Sequence, residues 1–167
     1  MKLGSRGLLA ALFALSFAAC KEAEPPYVSP VTWDTAQVVI AGAADTARLL
    51  VEISDTEARK SYGLMARPSL DPESGMLFTY DSAQAGDRAF WMFRTKMPLD
   101  IAFIDSAGAI GRILEMVPCE SELYAEACPR YEPIVPYWSA LEVNQGWFGR
   151  HGIVEGDTVR VEAKPGG

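Results

Sequence analysis

One histidine and three cysteines are all that this 167-residue chain offers toward conventional metal or thiol chemistry. His151 alone cannot build a multi-histidine centre, and Cys20, Cys119 and Cys128 contain no Cys-x-x-Cys spacing of the redox type. Also missing are a Gly-x-Ser-x-Gly elbow, a His-Glu-x-x-His run, a Gly-x-x-x-x-Gly-Lys loop and a Gly-x-Gly-x-x-Gly turn. The commonest signatures of serine hydrolases, zinc proteases, nucleotide triphosphatases and dinucleotide enzymes are thus excluded. Basic residues are outnumbered, 15 against 22 acidic ones, for a net charge of −7. Setting aside the two leader cations, Lys2 and Arg6, leaves −9. A surface this acidic repels phosphate backbones, and no basic stretch with interleaved aromatics offsets it, so no nucleic-acid partner is expected. The chain has no internal repeat, no low-complexity tract and, after the leader, no apolar run long enough for a transmembrane helix.

The leader is the most informative segment present. Lys2 and Arg6 precede an apolar run from Leu8 to Phe17, and Phe17-Ala18-Ala19 stand just before Cys20. This layout predicts a secretory signal over residues 1–19. Small residues before a cysteine resemble the bacterial lipoprotein signal, in which Cys20 becomes the acylated first residue. The alternative is ordinary cleavage near Ala19 and a free soluble product. Residues 20–35, with Pro25, Pro26 and Pro30, are expected to form an extended tether, although Val31 and Trp33 can already pack on the domain. The expectation is a lipid-anchored protein on the periplasmic side of a bacterial membrane. Lys21 after the cysteine favours the outer membrane by analogy with enteric sorting.

Residues 36–164 are expected to form one globular domain, mainly β with an α+β character: a closed or nearly closed barrel with one or two short helices. Strands are predicted at 38–40, 47–53, 75–80, 88–93, 101–105, 109–116, 137–143 and 158–163, with Val159 and Val161 inward. Asp55 is placed as the N-cap of a helix that ends before Pro68, and Asn144 as the cap of a helix stopped by Gly152. Ser106-Ala107-Gly108 reads as a three-residue hairpin loop. In an exported chain Cys119 and Cys128 most simply form a disulfide, worth roughly 2 to 3 kcal/mol. A metal site would need further ligands, and neither a metal nor a cofactor is expected.

The segments YGLMARPSL (62–70), GMLF (75–78), FWMFRTKMPLDIAFID (90–105), EMVPC (115–119) and LEVNQGWFGRHGIVEGD (141–157) resemble, in order, the family called domain of unknown function 192. The resemblance implies a small exported or membrane-anchored β-rich barrel and brings no activity with it. Where that family commonly has Lys-Asn-Thr after Trp-Met, this chain has Phe93-Arg94-Thr95.

No catalytic residue is assigned. The candidate ligand-binding set is Arg67, Trp91, Arg94, Thr95 and Asp100, with Trp138, Trp147 and nearby tyrosines as further stacking surfaces. The ligand expected is a small polar molecule or an envelope glycan. If Asp105 pairs with Ala109, uninterrupted register sets Asp100 opposite Leu114 with Arg112 diagonal to it, which predicts an ion pair. Glu115 then joins Asp100 on one face only through a bulge. Two other functions stay open: an envelope hydrolase of a glycan or peptide with Asp100 as base, and Cu(I) binding by Met65, Met76, Met92, Met97 and Met116. His151 is either a general base or a cation near a helix C-terminus.

Overall fold

Alternating apolar residues set the strands of a computed structural model that describes residues 27–42, 46–121 and 123–162. The expected leader, Cys20 and most of the tether lie outside the described residues, as does Ala163 at the end of the expected last strand. In chain order the elements are β1 (Asp34–Ala41), β2 (Thr46–Ser54), α1 (Glu57–Tyr62), β3 (Ser74–Gln84), β4 (Leu99–Ile104), β5 (Ile110–Met116), a 3-10 turn (Ala125–Ala127), β6 (Tyr137–Asn144), α2 (Trp147–Arg150) and β7 (Thr158–Glu162).

The strands form one sheet in the order β5-β4-β6-β3-β2-β1-β7. All pairs are antiparallel except β2 with β3, which are parallel and therefore need a crossover; α1 lies in it. The sheet curls until its edges meet at one end. Ala109 bridges Thr158, Ile110 N donates to Asp157 O (2.9 Å) and Val159 N to Gly108 O (2.7 Å). This mainly β, nearly closed barrel with two short helices is the expected class of fold.

Each face has its own core. The concave face buries Val38, Ile40, Leu49, Val51, Leu77, Ala102, Ile104, Leu141 and Val143 against Trp147 and Phe148 of α2. The convex face buries Met76, Phe78, Leu99, Ile101, Phe103, Met116 and Ala140 beneath Leu64, Met92 and Met97 from the connecting segments. β4 lies between both cores, so all six of its residues are buried.

Several local expectations are corrected. The stretch at 88–93 is not a strand; it makes a single bridge, Phe90 to Tyr131. Thr56 rather than Asp55 caps α1, its hydroxyl accepting from Arg59 N, while Asp55 turns its carboxylate to the Arg59 guanidinium (2.8 Å). Gly146 in the left-handed conformation begins α2, and Asn144 instead donates to the carbonyls of Leu70 and Asp71. Val161 shares the face of Val159, opposite Val38, but on an edge strand it stays exposed, so the period-two pattern found the strand and its facing but not its burial. Residues 27–35, read as the end of a tether, lie against the domain: Trp33 packs on the convex core, Tyr27 Oη donates to Tyr62 Oη and Asp34 opens β1.

The largest correction concerns register. Asp105 N does donate to Ala109 O, with Gly108 at φ 86°. Beyond Ile104–Ile110, however, the pairing slips by one residue at Gly111, so Phe103 faces Arg112 and Asp100 faces Glu115. A β-bulge has intervened, at a glycine whose added Cβ would come within 3.3 Å of Val135. The expected Asp100–Arg112 ion pair does not form; Arg112 pairs with Glu155 instead (3.4 Å).

Candidate functional site

Register builds the site from the sheet upward. On the convex face one row runs Glu52, Met76, Glu142, Ile101, Leu114 across β2, β3, β6, β4 and β5. Glu142 is the centre of that row and is only 5% exposed. Its neighbours on both adjacent strands are apolar, so water is removed without a paired cation in the row. Burial pushes its carboxyl up to about 8.

Above Glu142 opens a cleft of about 950 Å³. Phe78 and Tyr80 of β3 and Tyr137 of β6 line its base. α1 supplies Lys60 and Tyr62, and the 87–95 connection supplies Arg88, Trp91 and Thr95. Arg130 and Glu132 reach in from the segment after Cys128. Lys60 Nζ sits 4.6 Å from the Tyr80 ring centroid and the Arg130 guanidinium 4.5 Å from that of Trp91. Trp91 keeps 37% of its surface exposed. Burial raises the Tyr80 and Tyr137 phenols, and burial with the Tyr27 hydrogen bond raises Tyr62 to about 12, so all three stay protonated donors.

The wall carrying Arg130 is held by covalent and hydrogen bonds. Cys119 and Cys128 are joined by a disulfide, Tyr131 and Phe90 exchange backbone hydrogen bonds, and Tyr131 Oη accepts from Val117 N (3.0 Å).

The candidate residues from sequence fall in three places. Trp91 and Thr95 line the cleft, Thr95 nearly buried. Arg67 lies in a separate 250 Å³ depression, ion-paired to Glu52 and stacked near Tyr27 and Trp33. Arg94 lies beside Phe93 with φ 53°, a left-handed conformation that Asn adopts more readily than Arg. Asp100 lies on the concave face, 4% exposed. Its Oδ2 accepts from Gly146 N (2.8 Å) at the start of α2, and its Oδ1 is buried without a partner. Burial, opposed by that hydrogen bond and joined by the nearby Glu115 charge, raises its carboxyl. The sheet separates it from the cleft.

His151 ends α2: its Nδ1 lies 2.9 Å from Trp147 O and its Nε2 3.4 Å from Glu73 Oε2, with the ring stacked on Trp147. Trp147 is core and Trp138 is partly exposed. Met76, Met92, Met97 and Met116 all fill the convex core, and Met65 lines the cleft. Among the described residues no group of three or more His, Cys, Asp or Glu side chains is placed to hold a metal ion, and no helix is long and apolar enough to cross a membrane. Sequence reasoning missed Glu142, Tyr80 and Arg130. A signal for Glu142 was there: a lone acid within the strand Ser139-Ala140-Leu141-Glu142-Val143, between residues of a buried strand.

A curled seven-stranded sheet with a polar and aromatic cleft on its convex face therefore defines the class. Residues 38–161 match the DUF192 family, described as "Uncharacterized ACR", and the chain belongs to it. Among solved structures it is similar to a Sinorhizobium meliloti protein provisionally described as a transcription regulator. The two are 30% identical with a TM-score of 0.70, covering 80% of this chain and 98% of that one. It is also similar to a protein of unknown function from Novosphingobium aromaticivorans, at 31% identity and a TM-score of 0.69, covering 83% and 94%. No curated protein matches the chain.

Proposed function

We propose that this protein is a membrane-tethered, non-enzymatic binding module of the cell envelope, and that the convex-face cleft takes a small polar ligand of the glycan type. The cleft carries this reading. It places an exposed indole and phenol rings beside three cations, several hydroxyls and a buried carboxyl, the mixture of flat apolar faces and oriented hydrogen-bonding groups that fixes a hydroxyl-rich ligand. The tether rests on the leader and Cys20. The hydrolase alternative loses support because Asp100 is sealed on the other face, where it serves the start of α2. The Sinorhizobium protein's provisional description is not carried over, since the acidic balance of this chain opposes contact with a phosphate backbone.

Two experiments test the reading. Isothermal titration with chitotriose, cellotriose and maltotriose should give saturable binding to at least one. Trp91→Ala should then weaken it by about 30-fold, the loss of an aromatic anchor worth about 2 kcal/mol, while leaving thermal stability nearly unchanged. Equal affinity in the variant would move the site elsewhere. For the tether, intact-mass measurement on material from the native host should find Cys20 as the first residue carrying fatty acids. An unacylated mature chain would make the protein freely soluble after export.

A further inference from the structure

We infer that Glu142 is the ligand-reading group of the cleft, donating the proton of its un-ionised carboxyl to an uncharged ligand oxygen, so that the cleft releases its ligand as the medium turns alkaline. The inference rests on the binding reading above and gives it a specific polar contact and a regulation.

Geometry carries it. Glu142 lies in the middle of a row whose other members on β3, β4 and β5 are Met76, Ile101 and Leu114. A methionine or leucine there would continue the convex core, so packing gives no reason for a carboxyl. Yet this residue also lines the cleft, where its carboxyl can meet a ligand. An acid that weakens the fold where it stands and opens onto a binding space has the character of a functional group. In its un-ionised state it presents one O–H donor and a carbonyl acceptor, which suits a hydroxyl, ether or amide oxygen. Once ionised it only accepts, and it repels the lone pairs it formerly met.

The surroundings allow the titration to be read cleanly. Facing the cleft are Tyr80 from β3, Tyr137 from β6, Lys60 and Tyr62 from α1, and Arg88 and Arg130 from the connections. The acids Glu57, Asp81, Asp87 and Glu132 also line it. No histidine does, and histidine is the side chain that ordinarily changes charge near neutrality. The carboxyl of Glu142, raised by burial to about 8, changes charge between pH 6 and 9.

The test is calorimetric titration of chitotriose, cellotriose and maltotriose into the full protein at pH 6 and pH 9, with circular dichroism confirming the fold at both. Wild-type affinity for the bound saccharide is expected to fall by about tenfold, the fraction of carboxyl left protonated one unit above its midpoint. Glu142→Gln, whose amide still donates, should bind equally at both pH values, and Glu142→Met should bind at least tenfold more weakly at pH 6. Flat wild-type affinity, or a Glu142→Gln profile that follows wild type, would overturn the inference while Trp91→Ala still reports on the cleft. If Trp91→Ala changes nothing, or no saccharide binds, the binding reading and this inference fail together.

Discussion

Glu142→Gln is expected to raise the stability of the domain by about 3 kcal/mol at pH 7 and to flatten most of its loss toward alkaline pH. The number follows from linkage. The carboxyl titrates at 4.5 when exposed and at about 8 in the folded chain. Below pH 4.5 it is protonated in both states and contributes no pH dependence. Between 4.5 and 8 only the folded state holds the proton, so stability falls as pH rises, by about 1.4 kcal/mol per unit. Above 8 both states are ionised and the loss is complete, at about 5 kcal/mol in all. Glutamine has the same shape and never ionises, so the variant and wild type should be equally stable near pH 4 and diverge steadily above it. Asp100, raised in the same direction, adds a slope of the same sign that persists in the variant. Asp55, lowered by its hydrogen bond to Arg59, acts oppositely: its contribution is present above the ordinary carboxylate range and is lost in acid. Urea denaturation at pH 4, 7 and 9 measures all of this. Parallel stability curves for variant and wild type would show that Glu142 keeps its ordinary acidity and is not desolvated.

Opening the Cys119–Cys128 disulfide should have the second largest effect. The bond closes a loop of sequence separation 9, for which chain entropy gives about 2.5 kcal/mol of stabilisation. Its consequences are also local. The bridged segment leads directly into Arg130, stacked on Trp91, and Tyr131, bonded to Phe90. Freeing the bridge gives the unfolded chain more conformations and leaves that cleft wall held by noncovalent contacts alone. The double variant Cys119→Ser with Cys128→Ser is therefore expected to unfold at a urea concentration lower by about 1 M, at typical slopes for a domain of this size. Hydrogen exchange should quicken at Phe90 and Tyr131 more than in β4, which is buried on both faces. Unchanged exchange at those two amides would mean that the backbone bridge, not the sulfur bond, fixes the wall.

What the sequence disclosed and what it withheld divide along physical lines. Strands were legible where one face is buried and the other wet, as in β2, because alternation then appears in the letters. β4 was legible as an apolar run. The hairpin at Gly108 was readable because only a few residues accept a positive φ. The slip at Gly111 was not: a bulge needs one extra residue and a neighbour, Val135, distant in sequence. That single insertion moved Asp100 from the expected arginine to Glu115 and so changed its chemistry. The site was legible in Trp91 and Thr95, which the chain brings to the cleft along with their neighbours. It was illegible in Tyr80, Arg130 and Glu142, because their meeting depends on the strand order β4-β6-β3 and on the disulfide-bridged segment folding back over Phe90. Arg67 and Asp100, expected as ligand-binding residues, each answer a neighbour within the fold, Glu52 in one case and the Gly146 amide in the other.

The contact between Tyr27 and Tyr62 sets a geometric bound on where the cleft can work. Tyr62 belongs to the cleft rim, and only seven peptide steps separate Tyr27 from Cys20. Even a fully stretched chain of that length reaches about 25 Å, whatever path it takes. If Cys20 is acylated as proposed, the opening would be leashed within roughly one bilayer thickness of the lipid surface. It could sample molecules lying against the membrane, while those deep in the surrounding space would have to diffuse to it.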